Sequence, residues 1–290
     1  MSAHTATVVS CLVIMSGVLY VVATPIGNLQ DITRRGITTL SGVQIIAAED
    51  TRRARVLLEE IGGTQAELLA LHDHNEAQVT KRVVAALEQG VDVALISDAG
   101  TPLLSDPGFG LVARCWELGQ PVVPIPGASA VAAVLSVCPL PAQRFYFHGF
   151  LAARAGQRRE QLKGLLARSE ASVFFEAPHR VAHCLADLAA LAPERRLFLG
   201  REMTKRFEQF LLGTPAELAA ELEAAQALRG EFVCVLEAAQ TEHGNRDVRD
   251  TMAVLVGELT PSQAARIGAA LLGVSRRELY ALAQNLKADA

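Results

Sequence analysis

The sequence predicts an α/β fold of two α/β domains, followed by a small segment that resembles a helix-turn-helix. Short apolar runs alternate with amphipathic helical stretches, which is typical of strands and helices that pack into shared layers. The Pro-containing stretch 138–142 interrupts this alternation, and a second series of strands begins after it. Beyond residue 237 the strands stop and helix-start patterns take over.

The first domain is predicted to span residues 18–141. Apolar runs at 19–23, 44–48, 91–96 and 121–125 indicate strands, and stretches between them, such as 76–89 and 109–118, have helical periodicity. Strands that alternate with helices favour a sheet with parallel pairs. Residues 1–17 are expected to form a disordered tail, and the sequence leaves open whether Met1 or Met15 is the true start.

The second domain is predicted to span residues 142–240. Its strands are expected at 144–148, 172–176, 197–201, 207–212 and 232–237. Thr214, Pro215 and Glu217 form a helix start, with Thr as N-cap, Pro at the first helical position and Glu at the third.

The segment 241–290 is predicted to be helical. Thr260 with Gln263 and Ser275 with Glu278 match the capping-box pattern, and Gly273 between them is placed to end the first helix. The pattern indicates either a helix-turn-helix that meets nucleic acid or an ordinary helical hairpin that serves packing or dimerisation.

Composition and charge limit the classes of function. The chain is 50% hydrophobic but has no apolar run of about eighteen residues, so we expect a globular cytoplasmic protein that does not cross a membrane. Five widely spaced cysteines without a Cys-x-x-Cys pair argue against a disulfide framework and a zinc site. With a net charge of −4, any RNA contact must rest on local basic stretches such as 154–163 and 195–206, which could equally be solvated surfaces.

Three glycine-containing loops follow predicted strands of the first domain, at 23–28, 97–102 and 126–130. Open α/β sheets bind ligands at the carboxyl ends of their strands, and small residues let the backbone approach a ligand closely. None of the loops matches the dinucleotide or triphosphate fingerprints. The loops therefore indicate a ligand site of another kind.

The run SDAGTPLLSDPG at 97–108 resembles the signature of the 16S ribosomal RNA cytidine 2′-O-methyltransferases, the ribosomal branch of the tetrapyrrole methylases. Other segments agree in the expected order: ATPIGNL at 23–29, AEDTR at 48–52, HNE at 74–76, PGASA at 126–130, GFL at 149–151, EAPHR at 176–180, REMTK at 201–205 and GE at 230–231. The likeness covers about residues 19–237 and continues more loosely into the tail. After GFL the family usually has proline, and Ala152 stands there instead.

The resemblance implies two α/β domains of the tetrapyrrole methylase type with S-adenosylmethionine in the cleft between them. It also implies a homodimer and small-subunit ribosomal RNA as substrate, which we expect to be recognised in the assembled subunit because the chain is acidic. By position, the cofactor-binding residues would be Pro25, Ile26, Gly27, Asp98, Ala99, Gly100, Thr101, Ser129, Ala130, Ala177 and Pro178.

Methyl transfer to a ribose hydroxyl needs alignment of the two groups and removal of a proton, but no metal. Four side chains are candidate bases, and the sequence does not choose among them: Asp98, Glu176, His179 and Lys205. Asp98 is favoured as an organiser of the site. The candidate RNA-binding residues are Arg52, Arg158, Arg159, Arg180, Arg276 and Arg277.

The sequence offers three alternatives to this interpretation. A methylase of tetrapyrrole carbon typically has a Gly-x-Gly-Pro-Gly first loop, where this chain has ATPIGN. A non-catalytic RNA-binding protein would leave three cleft-lining loops without a purpose. The stretch 72–76 contains metal-ligand residue types, but Asn75 followed by Gln78 fits a helix N-cap, and no second ligand cluster is recognisable.

Overall fold

A computed structural model describes residues 16–225, 227–239 and 243–288. They divide into two units, one built from residues up to 166 together with 171–237, and a second built from 167–170 and the residues after 237. Residues 1–15 of the expected tail lie outside the described part. Gly17, at the end of that tail, belongs to the fold, because its N–H donates to the Leu87 carbonyl at 2.8 Å.

The first lobe of the larger unit is a five-stranded parallel sheet with the order β3-β2-β4-β1-β5. Its elements, in chain order, are β1 (Leu19–Val22), α1 (Arg34–Gly42), β2 (Ile45–Ala48), α2 (Thr51–Glu60), β3 (Glu67–Ala70), α3 (Glu76–Glu88), β4 (Val93–Ile96), α4 (Phe109–Glu117), β5 (Val122–Ile125) and α5 (Ala130–Val137).

Helices cover both faces of this sheet. Leu87 of α3 and Leu111 of α4 pack on one face, and Leu40 of α1 and Leu58 of α2 pack on the other. Every residue of β2 and β4 is buried, as expected of central parallel strands, which are apolar on both sides.

The second lobe is a mixed five-stranded sheet with the order β6-β7-β10-β8-β9, in which only β6 and β7 are parallel. Its elements are β6 (Phe145–Phe150), α6 (Ala155–Leu166), β7 (Ala171–Glu176), α7 (Val181–Leu191), β8 (Leu197–Arg201), β9 (Gln209–Gly213), α8 (Pro215–Ala224) and β10 (Phe232–Leu236).

The two faces of the second sheet have different partners. Helices α6, α7 and α8 cover one face, around Phe174 and Leu199. The other face meets the first lobe, where Ile26 and Val134 pack against Phe198 and Val233. The two lobes therefore share a hydrophobic core, and that core forms the floor of the cleft between them.

The helical unit contains α9 (His243–Glu258), α10 (Pro261–Leu272) and α11 (Arg276–Ala288), which pack on one another around Met252 and Leu279. The N–H of Thr260 bonds to Gln263 Oε1 at 3.2 Å. Gly273 ends α10 with φ = 67°. The helix, turn and helix predicted for this segment are confirmed. None of the helices within the described ranges is long and apolar enough to cross a membrane.

Every predicted strand is present with its ends within two residues of those expected, but β3 was missed. Its sequence, Glu67-Leu68-Leu69-Ala70, has no alternation of polar and apolar residues. The strand exists because it pairs with β2 along its whole length, from Ile45 opposite Glu67 to Ala48 opposite Ala70. Pairing of this kind is a tertiary effect that short-range periodicity does not reveal.

Candidate active site

A cavity of about 380 Å³ lies in the cleft between the two lobes of the larger unit. Its size is within the range of pockets that bind small molecules and cofactors. Because the strands of the first sheet are parallel, the loops after β1, β2, β4 and β5 meet at one edge, and this edge forms one wall. The second lobe supplies the opposite wall through Phe150, residues 175–178 and residues 231–233.

The loop after β4 is the centre of the first wall. Gly100 adopts φ = 82°, and its backbone pairs with Thr24 in an isolated bridge. The Thr101 hydroxyl donates to the Ala128 carbonyl at 3.1 Å, which ties this loop to the loop after β5. Ser129 is the N-cap of α5 and bonds to the Ala132 N–H. Small residues and the N-terminus of α5 thus line the cavity together. The backbone N–H groups at a helix N-terminus suit a carboxylate or the polar groups of a ribose.

Glu176 is a buried charged group of the second wall. Its side chain is fully buried at the end of β7, and Oε1 lies 2.7 Å from Arg180 Nε and accepts the Ala177 N–H at 2.8 Å. Oε2 is buried without a hydrogen-bond partner among the described residues. Buried polar atoms are rarely left unpaired, so this oxygen has the capacity to accept one further hydrogen bond.

Asp98 is held on both of its carboxylate oxygens. Oδ1 accepts the Asp50 N–H at 3.0 Å, and Oδ2 lies 3.2 Å from Arg53 Nη1. These contacts connect the loop after β4 to the start of α2. The geometry suits the organising role that the sequence predicted for Asp98.

Lys205 lies outside the cavity lining and is charged. Its Nζ is 3.0 Å from Glu202 Oε1 and 3.1 Å from Glu231 Oε2. Burial opposes the charge, but the two carboxylates together raise the pKa of Lys205 above its ordinary value. A lysine held in this state is a poor proton acceptor, so its predicted role as a base does not fit the structure.

His179 is exposed and does not line the cavity. Of the predicted cofactor residues, nine line it: Ile26, Asp98, Ala99, Gly100, Thr101, Ser129, Ala130, Ala177 and Pro178. Pro25 and Gly27 do not. Gly27 instead contacts the second lobe, where a Cβ atom added to it would lie 2.4 Å from Lys205 Cγ. The glycine allows the two lobes to approach each other at this point.

Two of the predicted RNA-binding residues need correction. Arg158 has only 6% of its side chain exposed and forms an ion pair with Asp187 at 2.7 Å, so it is not accessible to a phosphate. Arg180 is mostly buried against Glu176. In both cases a buried carboxylate pairs with the arginine, which the sequence had placed at an RNA-binding surface.

The remaining predicted RNA-binding residues are exposed. Arg52 has 89% of its side chain exposed and pairs with Asp50 at 2.7 Å, and Arg159 pairs with Asp187 from the surface side. Arg276 and Arg277 are exposed in the first turn of α11, the second helix of the predicted helix-turn-helix.

Several cavity-lining side chains were not selected from the sequence, including Glu49, Arg53, Asp106, Phe150 and Glu231. Asp106 lies within the signature at 97–108, but its place in the cleft depends on how the loop after β4 folds back. Phe150 is 52% exposed, and its ring lies 5.4 Å from that of Phe175. Both residues lie in segments that carry the family resemblance, at 97–108 and 149–151, but neither was assigned a role in the site from the sequence.

The chain is similar to known methylases over both lobes and the helical unit. Residues 18–219 match the family model described as tetrapyrrole (corrin/porphyrin) methylases, and residues 242–287 match the model described as the RsmI C-terminal HTH domain. The chain is 45% identical over 278 residues to the ribosomal RNA small subunit methyltransferase I of Neisseria meningitidis serogroup B, with 94% of this chain and 95% of that protein covered.

The protein of the same description from Escherichia coli O157:H7 is 43% identical, with 91% and 93% covered. Among solved structures, uroporphyrin-III C-methyl transferase from Thermus thermophilus, complexed with S-adenyl homocysteine, superposes with a TM-score of 0.54 at 15% identity. That match covers 76% of this chain and 97% of the other. At that identity the likeness concerns the fold alone.

Proposed function

Because this chain belongs to the tetrapyrrole methylase family, we propose that it transfers the methyl group of S-adenosylmethionine to the ribose 2′-hydroxyl of a cytidine in 16S ribosomal RNA. The observation that carries the proposal is the interlobe cavity, in which nine of the eleven residues assigned to the cofactor come together. The curated relatives named above favour ribosomal RNA over a tetrapyrrole as the methyl acceptor.

The residues present fit S-adenosylmethionine. The N-terminus of α5, capped by Ser129, offers N–H groups to a carboxylate, and Ala99, Gly100 and Ala130 leave room for a close approach. The unpartnered Oε2 of Glu176 offers an acceptor to an ammonium or a ribose hydroxyl. When bound, the cofactor supplies an electrophilic methyl group on a positively charged sulfur.

The protein's own contribution is to align the two groups and to exclude water. Asp98, fixed by Arg53 and the Asp50 N–H, holds the loop after β4 in place. The Arg180 and Glu176 pair fixes the opposite wall. Between them Phe150 offers an exposed aromatic face at the mouth of the cavity, where an unstacked nucleobase can pack.

We further propose that the enzyme acts in the cytoplasm as a homodimer on assembled small subunits. The chain has a net charge of −4, so a broad electrostatic attraction to naked RNA is absent and recognition must depend on a shaped surface. The exposed Arg276 and Arg277 would provide one local contact. Equal or faster methylation of naked 16S RNA would contradict the preference for assembled particles.

The test is transfer of labelled methyl from S-adenosylmethionine to purified small subunits that lack the modification, with Asp98→Ala alongside. We expect label at a single nucleotide that resists alkaline cleavage, and its loss in the variant. Cofactor binding without RNA labelling would favour a tetrapyrrole acceptor. Absence of both would favour a binding protein.

A further inference from the structure

Asp106 lies on the loop that connects β4 to α4 and lines the cavity together with Glu49 and Asp98. It is one of three carboxylates on the same wall. The only cation that lines the cavity with them, among the described residues, is Arg53, and it contacts Asp98. The carboxylates therefore differ in how their charge is compensated.

The backbone of this loop is held in an unusual conformation. Leu103 and Ser105 have φ of 72° and 76°, values that non-glycine residues rarely adopt. Such residues persist where the surrounding structure holds them, and they cluster at functional sites. Here Gly108 packs closely over β4, since a Cβ added to it would lie 2.9 Å from Leu95 Cδ2. The loop thus presents Asp106 to the cavity from a fixed position.

The loop also contacts the second lobe. A Cβ atom added to Gly149 of β6 would lie 2.9 Å from Ser105 Oγ, directly beside Asp106. Phe150, the next residue of β6, lines the same cavity. Asp106 and Phe150 therefore line one cavity from two walls that approach each other at Ser105 and Gly149.

The environment of Asp106 favours a carboxylate that exchanges protons near neutral pH. Burial, followed by the negative charge of Glu49, raises the pKa of Asp106 to about 6, with Asp98 adding to the effect and a hydrogen bond from Ser97 opposing it. Burial and Asp98 also raise the pKa of Glu49, while Arg53 lowers it. A general base is most effective when its pKa lies close to the working pH.

The other candidate bases are less suitable. Both oxygens of Asp98 are engaged by Arg53 and by the Asp50 N–H. Oε1 of Glu176 is engaged by Arg180 at 2.7 Å. On the second lobe, Lys205 is neutralised by Glu202 and Glu231.

We propose that Asp106 is a catalytic residue that accepts the proton of the target ribose hydroxyl. The inference rests on the proposed function. The hydroxyl oxygen forms a bond to the methyl carbon, the bond from that carbon to sulfur breaks with its electron pair returning to sulfur, and the hydroxyl proton moves to a carboxylate oxygen of Asp106. The sulfonium charge is lost as the carboxylate is neutralised, so charge balances.

The experiment uses the full chain with purified small subunits that lack the modification and compares Asp106→Asn, Asp106→Glu and the matched control Glu49→Gln. Single-turnover methylation is measured from pH 5 to 8. S-adenosylmethionine affinity is measured by calorimetry, and the carboxyl ¹³C signal of Asp106 is titrated without RNA.

We expect the wild-type rate to rise with pH through about 6, in step with the carboxyl titration. Asp106→Asn should lose at least about 100-fold in rate, a typical contribution of a general base, while cofactor affinity stays within about threefold. Asp106→Glu should recover part of the rate. Glu49→Gln should keep the pH-dependent rise but move it to lower pH, because a neighbouring negative charge has been removed.

A full rate in Asp106→Asn, or loss of the pH-dependent rise in Glu49→Gln instead, would overturn the assignment. A weakened cofactor affinity in Asp106→Asn would instead place the residue in cofactor binding and overturn it too. Failure of the wild type to label the RNA would overturn the proposed function itself, whereas wild-type labelling that survives in Asp106→Asn overturns only the role of Asp106.

Discussion

Arg180 Nε lies 2.7 Å from Glu176 Oε1, and the Glu176 side chain has no exposed surface. The two residues lie one helical turn apart across the junction between β7 and α7. The pair therefore fixes the loop 177–179, whose first two residues line the interlobe cavity. The ion pair of Glu176 and Arg180 therefore contributes both to the stability of the second lobe and to the shape of the cavity.

Replacing Arg180 with Met should leave the Glu176 carboxylate buried without its cation. We expect the free energy of unfolding to fall by about 3–5 kcal/mol, as is usual when one partner of a buried ion pair is removed. Urea unfolding of the purified protein measures this. The double variant Glu176→Gln/Arg180→Met is the control, and it should recover most of the loss because no charge is then buried alone. Equal stability of the single variant and the wild type would contradict the expectation.

The buried pair of Arg158 and Asp187 supports a second prediction. Asp187 bonds to Arg158 from inside the protein and to Arg159 from the surface. Asp187→Asn should therefore cost about 3–5 kcal/mol of unfolding free energy. Arg159→Met removes only the exposed partner and should cost about 1 kcal/mol or less. Equal destabilisation of the two variants would show that the buried ion pair of Arg158 with Asp187 contributes no more to the unfolding free energy than the exposed pair.

The ion pair of Arg158 and Asp187 also predicts how the free energy of unfolding depends on pH. Burial opposes the charge of Asp187, but the bonds from Arg159 and Arg158 outweigh it and hold the pKa of Asp187 below its ordinary value of 3.8. A lowered pKa in the folded state contributes stability above the unfolded pKa, and this is lost as the pH falls through the folded pKa. The stability difference between wild type and Asp187→Asn should be constant from pH 7 to about 5 and shrink below about 4. A difference that grows in acid would contradict this sign.

The helical unit supports a prediction about RNA. Arg276 and Arg277 are exposed at the start of α11, so Arg276→Ala/Arg277→Ala should leave the fold intact. If both contact phosphates, affinity for the small subunit should fall, and the slope of log affinity against log salt should decrease by about one per lost contact. The matched control is Arg82→Ala/Arg114→Ala, which removes two exposed charges from the first lobe. An equal loss of affinity in both double variants would indicate that the overall charge, and not contacts made by Arg276 and Arg277, sets the affinity.

Much of the architecture could be predicted because its signals are local. The Thr214 capping box, with its Pro at the first helical position, is formed in the structure as expected. Helix α10 begins after Thr260 and ends at Gly273. Capping and periodicity depend on residues within one or two turns, so one sequence is enough to recognise them.

The sequence by itself determined the strands other than β3, the three strand-end loops and, through the motif at 97–108, the family. Only the tertiary structure decided which charges are buried, because Arg158 and Asp187 are far apart in the chain and meet when α6 packs on α7. It also decided the membership of the site. Glu49, Asp106 and Phe150 share one cavity because parallel strands end at the same edge and the second lobe closes over it. Spacing along the chain carries no information about such contacts, which arise from how the layers pack.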